Sequence, residues 1–322
     1  MQPREGSLVL IGMRLMLAIA VVGCSPTAEP KPDTVPASTS TSGRRDSFTQ
    51  AQYAAHVDRL RAMLHDHRLG DLNVRIEDPF VVVGDGSVDT LARRSSTVRW
   101  AADLLEHGFF DHRPTKILDI YLFETAETYA RGVSTLTGKS PTTPYGFYSS
   151  SHGAMFMNIA TGGGTLVHEI VHPYVEADFP DAPAWLNEGL GSLFEQSAQR
   201  DGGIVGLPNW RLAGLQRTIA RGELQSFETL AHLPHGEFYR DETGTNYAQS
   251  RYLLYYLQEH GSLREFYRTF RARRAQDPTG YDTLAATLGE RDMDAFKRRW
   301  ERYVIALEFD DGTPRTAATA DR

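Results

Sequence analysis

Two histidines four residues apart with a glutamate after the first, His168-Glu169-Ile170-Val171-His172, are the residues of this chain whose types and spacing prescribe a reaction. On a helix, positions four apart share one face, so both imidazoles can reach a single metal ion. Glu169 lies about 100° round the helix from His168. That sets a carboxylate beside the ion without making it a ligand. A zinc ion held there would lower the pKa of its bound water toward ~7, and Glu169 could then take the proton as general base.

Two imidazoles do not complete a catalytic zinc site. A third protein ligand is required, with one position left open. Glu188, in Trp185-Leu186-Asn187-Glu188-Gly189, falls sixteen positions after His172. That interval suits a loop followed by a second helix packed on the first, with Asp181-Ala182-Pro183 as its start. Asn187 is expected to support Glu188 or a loop carbonyl. Ser192 and Glu195 are alternative candidates to hydrogen-bond a ligand histidine and orient its ring, and the sequence does not select between them.

The combination H-E-I-V-H and W-L-N-E-G resembles the gluzincin zinc metallopeptidases, and among them the peptidase-MA-like group of compact bacterial proteins. The resemblance extends over most of Phe48 to Leu307, weakly outside the two motifs. It implies one Zn2+ held by His168, His172 and Glu188, Glu169 as general base, and a thermolysin-like arrangement. In that family a Tyr or His from the helical half often stabilises the oxyanion. Tyr247, which opens a helix at Tyr247-Ala248-Gln249-Ser250, is the matching residue here, with His235 as the other candidate. The chain departs from its relatives in two ways. The spacing from His172 to Glu188 is shorter than in thermolysin or the zinc aminopeptidases. Gly153-Ala154-Met155-Phe156-Met157-Asn158 also lacks the acid with which the aminopeptidases hold a substrate amine. That segment is expected to be an edge strand, able to pair with an extended peptide, and the missing acid points to an endopeptidase.

The helix carrying the histidines is expected to begin near Thr165, which can cap it. Leu166, Val167, Ile170 and Val171 make it apolar on nearly every other face, so it should be buried. Pro173 lacks an N–H and predicts a kink or an early end. Upstream, helices are expected over residues 48–68, 89–106 and 125–134. Strands are expected at Phe80-Val81-Val82-Val83 and within 116–123, and two short ones within 145–159. Helices then dominate, with Tyr252, Tyr255 and Tyr256 at core spacing. The expected fold is α+β: a small mixed sheet with helices over 48–200, including the motif helix, then an all-helical subdomain over 201–311 and a tail at 312–322.

The first 23 residues have a different purpose. Arg4 and Arg14 precede the apolar run 15–22, which is well short of the ~20 residues a spanning helix needs. Small residues follow, as in an export signal. Val21-Val22-Gly23-Cys24 resembles the bacterial lipobox, which implies cleavage before Cys24 and lipidation of that residue. Cys24 is the single cysteine, which excludes intrachain disulfides and, once lipidated, thiol chemistry. Residues 24–47 are rich in Pro, Ser and Thr and read as a flexible tether. The protein is therefore expected on the periplasmic or extracellular face of a bacterial membrane, anchored through Cys24. The net charge is −7, one unit more negative once residues 1–23 are removed, and no basic cluster suggests a nucleic-acid partner. Peptides or proteins are the expected substrates. A cell-wall peptide hydrolase and a non-catalytic zinc-binding surface lipoprotein are the alternatives.

Overall fold

The computed structural model describes residues 47–309 apart from 71 and 163. The expected signal segment, Cys24, nearly all of the tether and the tail lie outside the described residues. The described chain is mixed α+β and mostly helical. It opens with α1 (Gln50–Asp66), started by a capping box in which Thr49 and Gln52 exchange hydrogen bonds. Next come β1 (Asn73–Glu77) and β2 (Phe80–Gly84), then α2 (Val88–Gly108), β3 (Leu118–Phe123) and α3 (Ala126–Thr137). β4 (Gly146–Ser149) and β5 (Ala154–Asn158) precede α4 (Gly164–Asp178) and α5 (Ala184–Phe194). A hairpin follows, β6 (Ser197–Arg200) and β7 (Gly203–Gly206). The chain then runs through α6 (Arg211–Ala220), α7 (Phe227–His232), α8 (His235–Phe238), α9 (Thr245–Glu259), α10 (Leu263–Arg273), α11 (Tyr281–Leu288) and α12 (Met293–Ala306).

Five strands form one mixed sheet in the order β1-β2-β3-β5-β4. β2, β3 and β5 run parallel, with β1 and β4 antiparallel at the two edges. The interior strands are buried on both faces, which explains their unbroken apolar runs. The segment Ala154–Asn158 is an interior strand rather than the expected edge. Its Met155 pairs with Ile120 on one side and Tyr148 on the other. The edge next to the motif helix is β4.

One face of the sheet packs on α1 and α3 through Val81, Val83, Tyr121, Phe123 and Phe156. The other face carries Phe80, Val82, Ile120, Leu122, Met155 and Met157 into a core shared with α2, α4, α5 and the C-terminal helices. That core is continuous from Phe80 to Val304. The expected division at residues 200 and 201 falls at the turn of the β6–β7 hairpin, whose strands pair Arg200 with Gly203. Among the described residues no helix is long and apolar enough to cross a membrane.

Two local expectations fail in α4. Thr165 lies inside the helix, with its hydroxyl buried and unbonded, so it is not the cap. Pro173 also lies inside the helix, which continues to Asp178. Pro173 costs one hydrogen bond. Tyr174, Val175 and Asp178 beyond it are all buried, and the packing of this last turn offsets the loss. Asp178 anchors it further, accepting from the backbone N–H of His112 at 2.8 Å and pairing with Arg271.

Candidate metal site

α4 is buried over most of its length, from Leu166 through Val175. It packs on α5, which packs in turn on α9. The close approach of α4 and α5 depends on Gly191. A β-carbon there would lie 3.0 Å from Cε1 and Nε2 of the His168 ring, tighter than van der Waals contact allows. Gly189, on the opposite side of α5, admits α9 in the same way: its β-carbon would meet Leu254 at 2.9 Å and Ser250 at 3.1 Å.

Across this seam the two histidines turn their Nε2 atoms toward one carboxylate. Glu188 Oε2 lies 3.2 Å from His168 Nε2 and 4.0 Å from His172 Nε2. Ligands about 2.0–2.1 Å from a common tetrahedral ion stand roughly 3.3 Å apart, close to the first of these distances and shorter than the second, so Glu188 Oε2 could share an ion with the imidazoles. The opposite ring nitrogens face other groups. His172 Nδ1 is 3.0 Å from Asn187 Oδ1, which gives Asn187 a different partner from those expected. His168 Nδ1 faces Glu195 Oε2 at 3.4 Å. Glu195, rather than Ser192, is therefore the residue behind the ring, and the Ser192 hydroxyl is buried without a hydrogen bond. Glu188 Oε1 accepts from the Tyr239 hydroxyl at 2.9 Å.

Glu169 lies against the same histidine pair. Its Oε2 is 3.8 Å from His172 Nε2 and accepts the backbone N–H of Tyr148, on edge strand β4, at 2.9 Å. His168, Glu169 and His172 offer ligand atoms that all lie within 4.8 Å of one another, a buried group that could hold a metal ion. Glu188 is a further candidate donor. It reaches both Nε2 atoms with one oxygen, whereas Glu169 is turned to the strand.

The electrostatics call for a cation. Glu169, Glu188 and the Glu195 side chain are almost fully buried together; Arg211 lies 3.0 Å from Glu195, and the buried Arg251 also acts on Glu195. Burial pushes the Glu169 carboxyl up, against the pull of the two histidines. Burial acts on Glu188 and Glu195 as well, but there it is outweighed. His172, His168 and Tyr239 hold Glu188 below the usual carboxylate range, and Arg211 and His168 do the same for Glu195. Burial alone would depress the His168 imidazole, yet its two carboxylate neighbours take it up to about 10. Two of the buried polar atoms without a hydrogen-bond partner are His172 Nε2 and the Tyr247 hydroxyl; His168 Nδ1 and the Thr165 and Ser192 hydroxyls nearby are others. Native interiors rarely leave such atoms unpaired. A divalent ion on His172 Nε2 and a substrate oxygen or water near the Tyr247 hydroxyl would satisfy those two.

His168, Glu169, Glu188, Glu195, Arg211 and Tyr247 line a cavity of about 20 Å3, together with Thr143, Tyr145, Gly146 and Thr165. This has room for roughly one water. Tyr247 is thus at the site as expected. His235 is exposed and its ring packs against Tyr239 rather than entering the cavity. Tyr239, Arg211, Gly191 and the Tyr148 amide were not anticipated.

Residues 159–279 match the model of a family described as Protein of unknown function (DUF1570). No curated protein matches the chain. The matched segment runs from the end of β5 to the loop before α11. It contains both histidines, Glu169, Glu188, Glu195, Arg211, Tyr239 and Tyr247, and omits the strand that supplies the Tyr148 amide.

Proposed function

We propose that the protein is a zinc-dependent peptidase of the gluzincin type, cutting within peptide chains. One observation carries this reading: a single oxygen of Glu188 within 4.0 Å of both His168 Nε2 and His172 Nε2, with Glu169 Oε2 3.8 Å from His172 Nε2. His168, His172 and Glu188 would hold the ion, and Zn2+ suits a donor set of two imidazoles and one carboxylate with a position left open. When bound, the ion supplies Lewis acidity to a substrate carbonyl and acidifies a water.

The chain's own groups do the rest. Glu169 accepts the proton of the attacking water at a carboxylate oxygen and returns it to the leaving amine. Its raised proton affinity brings it nearer the working pH. The Tyr148 N–H fixes the Glu169 carboxylate at the sheet edge. Tyr247 carries an unpaired hydroxyl into the cavity, a donor for the developing oxyanion. Asn187 bonds the far nitrogen of His172 and Glu195 faces that of His168, where each would orient its ring. Export and a lipid on Cys24 would hold this activity at the outer face of a bacterial membrane, where protein or cell-wall peptides are within reach.

The small cavity favours a second reading, a zinc-binding surface lipoprotein without catalysis. The two separate through metal analysis of the purified protein, then digestion of a peptide library with and without chelator beside Glu169→Ala. Loss of cleavage with retained metal in that variant supports the peptidase. Cleavage that survives either the chelator or the substitution ends it.

A further inference from the structure

A second cavity, of about 450 Å3, opens beside the metal site, within the usual size of a ligand pocket. The two are bordered by the same two elements, through different residues. β4 lines the small cavity with Gly146 and the large one with Tyr148, and α4 lines them with Glu169 and with Pro173 and Glu176. Glu169 and Glu176 are seven residues apart, within about 20° of the same helix face and about 10 Å along the axis. An extended peptide covers that distance in about three residues.

Tyr148 connects the two acids. Its backbone N–H holds Glu169 at 2.9 Å, and its phenol donates to Glu176 Oε2 at 2.7 Å. Ser150 donates to Glu176 Oε1 at 2.5 Å. Both oxygens of Glu176 are therefore fixed by hydroxyls. No cation pairs with Glu176 among the described residues, and each oxygen keeps a free lone pair. The other groups in the cavity are differently placed. Asp119 faces His56 at 2.8 Å. His152 turns Nδ1 to the hydroxyls of Ser149 and Ser151. Lys116 also lines the cavity; it is exposed, belongs to the loop before β3, and forms no ion pair with Glu176.

We infer that this cavity is a substrate subsite for a positively charged group, received by the Glu176 carboxylate about three residues from the bond cut at Glu169. The position of the cut rests on the peptidase reading. The cation has two possible sources in a peptide, an Arg or Lys side chain or a free α-amine, and both would meet Glu176 with the same charge-assisted hydrogen bonds. A carboxylate this far from the cut does not restore aminopeptidase geometry, which needs the amine beside the cleaved residue.

The test uses the metal-loaded full chain and neutral fluorogenic peptides in which Arg is moved one position at a time, each with a free or acetylated N-terminus. The expected result is a gain in kcat/KM of about tenfold, carried by KM, when the charge lies three residues from the cut. Glu176→Gln erases the gain and Glu176→Asp recovers part of it. A gain that acetylation removes assigns the α-amine, and one that acetylation leaves assigns the side chain. An equal gain in Glu176→Gln, or none at any position, overturns the inference and leaves the peptidase reading intact. If no peptide is cut, the peptidase reading fails, and anisotropy titration of the same peptides decides the subsite. Charge-dependent binding lost in Glu176→Gln supports it, and equal binding by both proteins overturns it.

Discussion

His168 Nδ1 lies 3.4 Å from Glu195 Oε2, on the side of the ring away from Glu188. Glu195 is the last link of a chain that begins outside α4 and α5. Arg211, at the start of α6, donates to both of its oxygens, at 3.0 and 3.2 Å, and Asn209 donates to Oε1 at 2.6 Å. The ring orientation of one histidine is thereby tied to the segment that follows the β6–β7 hairpin.

Glu195→Ala should weaken metal binding by about 10–100-fold, the usual effect of removing a carboxylate behind a ligand histidine. It should also lower the melting temperature, because Arg211 is left buried without its partner. Competition for Zn2+ against a chromophoric chelator measures the first effect and a thermal melt of the apoprotein the second. Unchanged affinity would mean that Glu195 serves only to anchor Arg211.

Asp277 is a test of the helical half that does not touch the site. It is buried, and its two oxygens accept the N–H groups of Gly280 at 2.9 Å and Thr283 at 2.7 Å, at the start of α11. Burial raises its proton affinity, and those bonds outweigh burial, so its carboxyl is held below the usual range. A carboxyl depressed by folding stabilises the protein above its unfolded pKa of ~3.9 and loses that contribution as the pH falls through the folded value. Asp277→Ala should therefore cost about 2 kcal/mol at pH 7 by denaturant titration. The difference from wild type should shrink as the pH is lowered below about 4. A difference that stays constant with pH would assign the loss to packing.

The parts of the site that share a helix turn or a short loop were legible in the sequence. His168, Glu169 and His172 follow from the helical period, and Glu188 from its place on the next helix. Tyr247 is at the cavity through its likeness to a family position. The rest depends on contacts that no local pattern encodes. Tyr239 reaches Glu188 across 51 residues and Arg211 reaches Glu195 across 16. The edge strand was misassigned because strand order is tertiary: Ala154–Asn158 and Gly146–Ser149 are both short and apolar in places, and only the pairing with β3 makes the first interior. β1 was missed because it is an edge strand with Arg75 and Glu77 in it, and so lacks the apolar run of its neighbour. Pro173 misled because the rule for proline weighs one hydrogen bond, whereas the last turn of α4 is held by burial.

Gly191 could have been noticed in the sequence only as a small residue, but its position makes a sharp prediction. A β-carbon would press on a ring that cannot yield, since Glu188 and Glu195 face its two nitrogens. Gly191→Ala raises helix propensity by about 1 kcal/mol, so a purely local effect would stabilise α5. The expected outcome is the reverse: lower Zn2+ affinity and no gain in melting temperature. An alanine variant that is more stable and binds metal normally would show that α4 and α5 can separate without harm.

Tyr239 and Tyr247 make the last contrast. Both rings lie beside Glu188, and burial raises the proton affinity of both phenols, so each stays protonated and able to donate. Their hydrogen bonds differ. Tyr239 donates to Glu188 Oε1 at 2.9 Å, while the Tyr247 hydroxyl has no partner. Tyr239→Phe leaves a buried carboxylate short of a donor, which should weaken Zn2+ binding and destabilise the fold by about 1–3 kcal/mol. Tyr247→Phe removes an unsatisfied buried group, so stability should hold or rise, and metal affinity should not change. Its effect belongs in turnover: the loss of one oxyanion donor lowers kcat by about 10²–10³ with little change in KM. Metal titration, denaturant titration and kinetics on the two variants separate these roles. If Tyr247→Phe keeps full kcat while Tyr239→Phe loses kcat without losing metal, the oxyanion donor is Tyr239.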